Sequence, residues 1–145
     1  MEHALLIAIL HANVGSEVGA NILQTIVTRY TDTYISSNNL DNIDSKTLDN
    51  YLQLISQMYA FQIVGHELVF DILDGLSNSF RAKDVELIVL VLRTVGFLLR
   101  KDSPTRLKTF ILQVQKKSSE TDHQTKEKST ALSRVQVNWI IWRAE

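Results

Sequence analysis

Four histidines, three carboxylates on one helix face and a knot of cations are the residues of this chain whose types suit chemistry. His3 and His11 lie eight apart, beyond the single turn over which two imidazoles share a metal, and neither HExxH nor His-x₃-His occurs. His66 and His123 are isolated. The absence of Cys removes disulfides, thiolate ligands and thiol nucleophiles together. No GxSxG, Walker or GxGxxG pattern is present, and Gly15 and Gly19 lack the preceding strand that a phosphate-cradling turn needs. Neither a catalytic nor a metal constellation is expected, and no cofactor or small-molecule substrate.

Glu67, Asp71 and Asp74 fall at i, i+4 and i+7, on the face opposite Val69, Ile72 and Leu76. Such a row is either a solvated face or an acidic docking stripe for a basic partner. The segment "RKDSPTRLK" brings Arg100, Lys101, Arg106 and Lys108 to a helix–helix corner. It reads as a solvated turn, or as a contact for a protein or for RNA phosphates. No aromatic interleaving there suggests base stacking. Trp139 and Trp142 suit an interface or the edge of a core.

These groups have to be positioned by helices. One Pro and five Gly in 145 residues favour long helices over a turn-rich β fold. The first helix spans about His3 to Ala12. In "HANVGSEVGA", Gly15 fits the position just past a helix end and Ser16 the next N-cap, so the stretch reads as a corner and not a site. Val18, Ile22, Leu23, Ile26, Val27 and Tyr30 then recur at helical spacing, and a polar loop, "TDTYISSNNLDNID", is expected after them. Asp44 or Ser45 caps a third helix carrying Leu48, Tyr51, Leu54, Ile55 and Met58. After "AFQIVG" a fourth helix carries Val69, Ile72, Leu73, Leu76 and Phe80. Asp84 is the expected cap of a fifth, "VELIVLVLRTVGFLLR", and Ser103-Pro104 starts a sixth.

The helices pair and repeat. Leu5, Leu52 and Leu87 open comparable first helices, and Ile22, Leu68 and Leu107 the second ones. An irregular period of about 40 residues predicts an all-α fold, an α-solenoid of stacked HEAT-like hairpins with about three present; a plain helical bundle is the alternative. "ALLIAIL" is apolar round its whole circumference, which predicts further repeats before residue 1 and poor solubility without them. The expected organisation is residues 2–118 as the repeat domain, 119–130 as a polar linker and 131–145 as an atypical tail.

Charge divides along the chain. Residues 1–80 hold two basic residues against nine acidic ones, and residues 81–145 hold thirteen basic against seven acidic. Opposite halves suit a protein that meets partners along its length. The opening lacks the basic start and cleavage site of a signal peptide, and no run is long enough to span a membrane, so the reading is a soluble intracellular chain.

The strings "EHALLIAILHANVGSEVGA", "LVFDIL" and "ELIVLVLRTVGFLLRKD" together resemble the middle domain of eukaryotic initiation factor 4G, and within that family its nucleolar members. The resemblance covers roughly residues 2–118 and implies the central three of five HEAT-like hairpins. It implies a scaffold that binds and modulates a DEAD-box RNA helicase of the initiation factor 4A type, in nucleolar small-subunit ribosomal RNA processing. The alternatives are a direct RNA-binding solenoid, or a splicing or translation scaffold of the same superfamily. Contacts are expected at hairpin corners, on Asn13, Glu17, Arg81, Lys83, Asp84, Arg100, Lys101, Asp102 and Arg106.

Overall fold

The computed structural model describes residues 1–37 and 45–122. All of the regular structure in them is helical: α1 (Glu2–Asn13), α2 (Ser16–Ser37), α3 (Ser45–Ala60), α4 (His66–Ser79), α5 (Ala82–Asp102) and α6 (Pro104–Asp122). These six helices form two compact units, Met1–Gly65 and His66–Glu145.

In the first unit α2 packs against both α1 and α3, and α1 also touches α3. Leu48, Leu52, Ile55, Met58 and Tyr59 put a buried stripe on α3 at helical spacing. Ile26 and Tyr30 of α2 and Ala4 and Ile7 of α1 are buried as well. The uniform greasiness of α1 is not absorbed by its neighbours, since Leu5, Leu6 and Ile9 stay exposed. The corner after α1 forms as expected. Gly15 has φ +144°, which a residue with a Cβ rarely adopts, and its carbonyl accepts the Val18 N–H at 3.2 Å. Ser16 therefore sits one position inside α2 and not at its cap.

The expected loop after Tyr30 starts later. Residues up to Ser37 are helical, with the Tyr30 and Tyr34 rings stacked at 6.0 Å and the Thr31 and Thr33 hydroxyls donating to carbonyls one turn back. Those back-bonds keep polar side chains compatible with a helix. The α3 end is a Schellman motif: the Ile63 N–H donates to the Met58 carbonyl and the Gln62 N–H to the Tyr59 carbonyl, with Gln62 at φ 62°.

In the second unit α5 packs against α4 and α6, and α4 touches α6. Phe70, Leu73 and Leu76 of α4, Leu87, Ile88, Val91, Val95 and Leu99 of α5, and Leu107, Phe110 and Val114 of α6 form its core. In each unit, helices two apart in the chain are also in contact, which is how layers of a solenoid stack. α6 runs alongside α4 in the same direction: Arg106 meets Asp71 and Asp74, and further on Lys117 meets Ser77 and Asn78.

Residues 119–122, expected to open a polar linker, continue α6. The Ser119 hydroxyl donates to the Gln115 carbonyl and Lys116 pairs with Glu120 at 3.9 Å, both one turn apart. The rest of that segment and the tail expected over 131–145, with Trp139 and Trp142, lie outside the described residues.

Candidate partner-binding corners

The α1–α2 corner carries Asn13 and Glu17, both exposed. Asn13 ends α1 and its amide donates to the Ile9 carbonyl at 2.8 Å, so that helix end is closed from within. Glu17 lies in the first turn of α2, where the helix dipole favours a carboxylate. Behind this corner Gly19 is buried against His11. A Cβ at Gly19 would overlap the imidazole, whose Nδ1 is buried with no hydrogen-bond partner.

The α4–α5 corner is built on Phe80 and Arg81. Phe80 takes φ 45° and its N–H donates to the Leu76 carbonyl, which closes α4. Arg81, not Asp84, is the N-cap residue of α5. Asp84 lies three positions in, and its carboxylate reaches back to accept the Arg81 backbone N–H at 3.0 Å. The same carboxylate accepts from Arg81 Nε at 3.0 Å and Nη2 at 3.3 Å. A short acid at this position serves the cap from inside the helix, the reciprocal half of a capping box. Asp84 is 0% exposed, so it bears on a partner only by holding Arg81. Lys83 pairs with Glu86 at 3.4 Å on the same turn.

The α5–α6 corner holds Arg100, Lys101 and Asp102, all exposed in the last turn of α5. Ser103 follows with its N–H donating to the Leu99 carbonyl, and Pro104 opens α6. The two cations offset the negative end of the helix dipole. Arg106 faces another way. Its guanidinium lies 3.4 Å from Asp71, 3.6 Å from Asp74 and 4.8 Å from the centre of the Phe70 ring. Two of the three stripe carboxylates of α4 thus already have a cation from their own unit.

The corners at Arg81 and Arg100 stand at opposite ends of α5, about 28 Å apart at 1.5 Å of rise per residue. Arg100, Lys101 and Asp102 share one corner; Arg81, Lys83 and Asp84 share the other. One exposed residue of this helix is not among the candidates read from the sequence. Phe97 is 81% exposed, four positions after Arg93 and four before Lys101. Phe97 thus lies between Arg93 and Lys101 along the exposed side of α5, outside the segment "RKDSPTRLK". A helical projection of α5 would have placed it opposite Val91, Val95 and Leu99.

Among the described residues no group of three His, Asp or Glu side chains is arranged to hold a metal ion, and no helix is long and apolar enough to cross a membrane.

Residues 1–137 match the MIF4G domain family. The chain is 43% identical over 119 residues to human Nucleolar MIF4G domain-containing protein 1, covering 82% of this chain and 13% of that protein. To the Drosophila melanogaster homolog it is 36% identical over 126 residues, 87% of this chain and 15% of that one. To Suppressor of glycerol defect protein 1 of Schizosaccharomyces pombe it is 30% identical over 112 residues, 77% of this chain and 14% of that protein. The chain thus spans 13–15% of the length of these curated relatives. No solved structure gives a significant match. The nucleolar localisation expected for the chain agrees with the names of its relatives. With its all-helical, solenoid-type architecture and its match over most of its length, the chain belongs to the MIF4G domain family, a family of protein–protein interaction modules.

Proposed function

We propose that the chain is a scaffold segment that binds and modulates a DEAD-box RNA helicase of the initiation factor 4A type, in nucleolar processing of small-subunit ribosomal RNA. The observation that carries the reading is the α5–α6 corner. Arg100, Lys101 and Asp102 stand exposed on a rigid helix end, fixed by the Ser103–Pro104 stop and start. Membership of a family of interaction modules supports a protein as the occupant. Asn13 and Glu17 at the α1–α2 corner, and Arg81 and Lys83 at the α4–α5 corner, are further contacts in this reading. Asp84 positions Arg81, and Arg106 serves mainly to join α6 to α4.

Such a scaffold acts by binding one arrangement of the helicase lobes better than the other, which shifts the population toward it. The test is the ATP hydrolysis rate of a purified helicase of this type with increasing amounts of the chain. A saturable change that follows binding supports the reading; an unchanged rate with a folded chain in excess rejects it.

A further inference from the structure

We propose that Ser103 is a phosphorylation site for a proline-directed protein kinase, and that its phosphate docks on the first turn of α6 and removes most of the positive charge of the α5–α6 corner. Only the bearing of that charge change on the helicase contact rests on the function proposed above.

Residues 103–106 read Ser-Pro-Thr-Arg. Kinases of the cyclin-dependent class take a Ser or Thr followed at once by Pro and favour a cation at the third position after it. Pro brings no backbone N–H that the kinase cleft would have to satisfy, and the cation meets acidic charge beside the cleft. The chain has a single Pro, so this is its one Ser-Pro or Thr-Pro step.

A helix start would explain the pair by itself if the Ser103 hydroxyl capped α6, but it does not. The Ser103 N–H donates to the Leu99 carbonyl at 2.8 Å and its carbonyl accepts the Leu107 N–H at 3.1 Å, so the backbone closes both helices. The side chain makes no hydrogen bond with another described residue, and the usual bond from the cap oxygen to the first turn is not formed. Ser103 is half-buried, while Lys101, Asp102, Pro104 and Thr105 around it are exposed. Its φ of −147° is extended, as a chain lying in a kinase cleft must be. Arg106 has to leave Asp71, Asp74 and the Phe70 ring to be read, and exposed ion pairs of this kind hold a side chain weakly.

In the transfer the Ser103 Oγ attacks the γ-phosphorus of ATP. The Oγ–P bond forms as the bond from that phosphorus to the ADP oxygen breaks, and the hydroxyl proton passes to the kinase's carboxylate base. The product carries about −1.5 to −2 charge at pH 7. The N–H groups of Thr105 and Arg106 lie in the first helical turn, where no carbonyl precedes them to accept, and a phosphate on the cap residue is placed to do so. Residues 100–108 hold four cations and one acid, so the corner falls from +3 to roughly +1.

The experiment incubates the full chain with a purified cyclin-dependent kinase and Mg-ATP and locates the phosphate by mass spectrometry. One phosphate is expected, on Ser103, and none in Ser103→Ala; Ser103→Thr should keep it and Arg106→Ala should lower the rate. The phosphorylated chain is expected to melt about 2–4 °C higher at low salt. No incorporation into the folded chain, when a free peptide of residues 97–111 is modified, would overturn the proposal, as would incorporation that survives Ser103→Ala. A lower melting temperature after phosphorylation would overturn the docking on α6. Helicase affinity is expected to fall tenfold or more on phosphorylation, and an unchanged affinity would overturn that consequence. No helicase binding by either form would count against the helicase contact and leave Ser103, which the mass identifies alone, supported.

Discussion

The guanidinium of Arg106 lies 4.8 Å from the centre of the Phe70 ring and within 3.4 Å of the neighbouring Asp71 carboxylate. One α6 side chain thereby holds α4 by its ring and by its acids, while Lys117 donates to the Ser77 carbonyl at 2.6 Å near the other end of α4. The exposed ion pairs contribute little, and salt screens them. The cation–π contact contributes about 0.5–1 kcal/mol and the packed stem of the side chain adds to it. Arg106→Ala is therefore expected to destabilise the chain by about 1 kcal/mol, and Arg106→Lys to restore only part of that. Urea unfolding at low and high salt measures it; a loss that vanishes in high salt would assign the effect to the ion pairs instead.

Asp84 and Arg81 divide unequally. The Asp84 carboxylate is buried and serves the cap N–H, whereas the Arg81 side chain is 43% exposed. Asp84→Ala is expected to cost about 1–2 kcal/mol through loss of the cap. Arg81→Ala should cost less, because the backbone bond survives it. Equal losses in thermal melts would contradict this division.

Gly19→Ala sets two effects against each other. Alanine is worth about 0.5–1 kcal/mol over glycine inside a helix, but its Cβ overlaps the His11 ring. The single change is expected to destabilise by about 1–3 kcal/mol, as overpacking does. In a His11→Ala background the same change should stabilise. A double-mutant cycle in which Gly19→Ala has the same sign in both backgrounds would show that the ring does not set the spacing of α1 and α2.

Gln62 occupies the left-handed position of the α3 Schellman motif, which glycine usually fills. Gln62→Gly is expected to raise stability by about 0.5–1 kcal/mol, since relieved backbone strain exceeds the added flexibility of the unfolded chain. Phe80 also has positive φ, but it is half-buried, so Phe80→Gly should destabilise. Denaturant midpoints of the two variants moving the same way would refute this.

Periodicity made six helices legible, and with them the buried faces of α3 and α4, because those stripes follow from a period of 3.6 alone. Gly15 and Pro104 marked their corners for the same local reasons. What stayed hidden depended on partners distant in sequence or on departures from the usual residue choice. Gln62 and Phe80 end helices where no glycine announces it. Asp84 looked like a cap and instead serves one three residues back. The acidic stripe of α4 gave no sign that Arg106 would meet it from α6. Phe97 stands in the apolar run "VGFLLR", and only its angle around α5 sets it apart from the buried neighbours.

The most direct measurement is a calorimetric titration of the chain into a purified DEAD-box helicase of the initiation factor 4A type, beside the Arg100→Glu, Lys101→Glu double variant. Both positions are exposed, so the variant should melt close to the parent. The predicted result is saturable binding by the parent and a loss of tenfold or more, about 1.4 kcal/mol, in the variant. No heat of binding from a folded parent, or equal affinities for the two proteins, would contradict the assignment of the α5–α6 corner as the helicase contact.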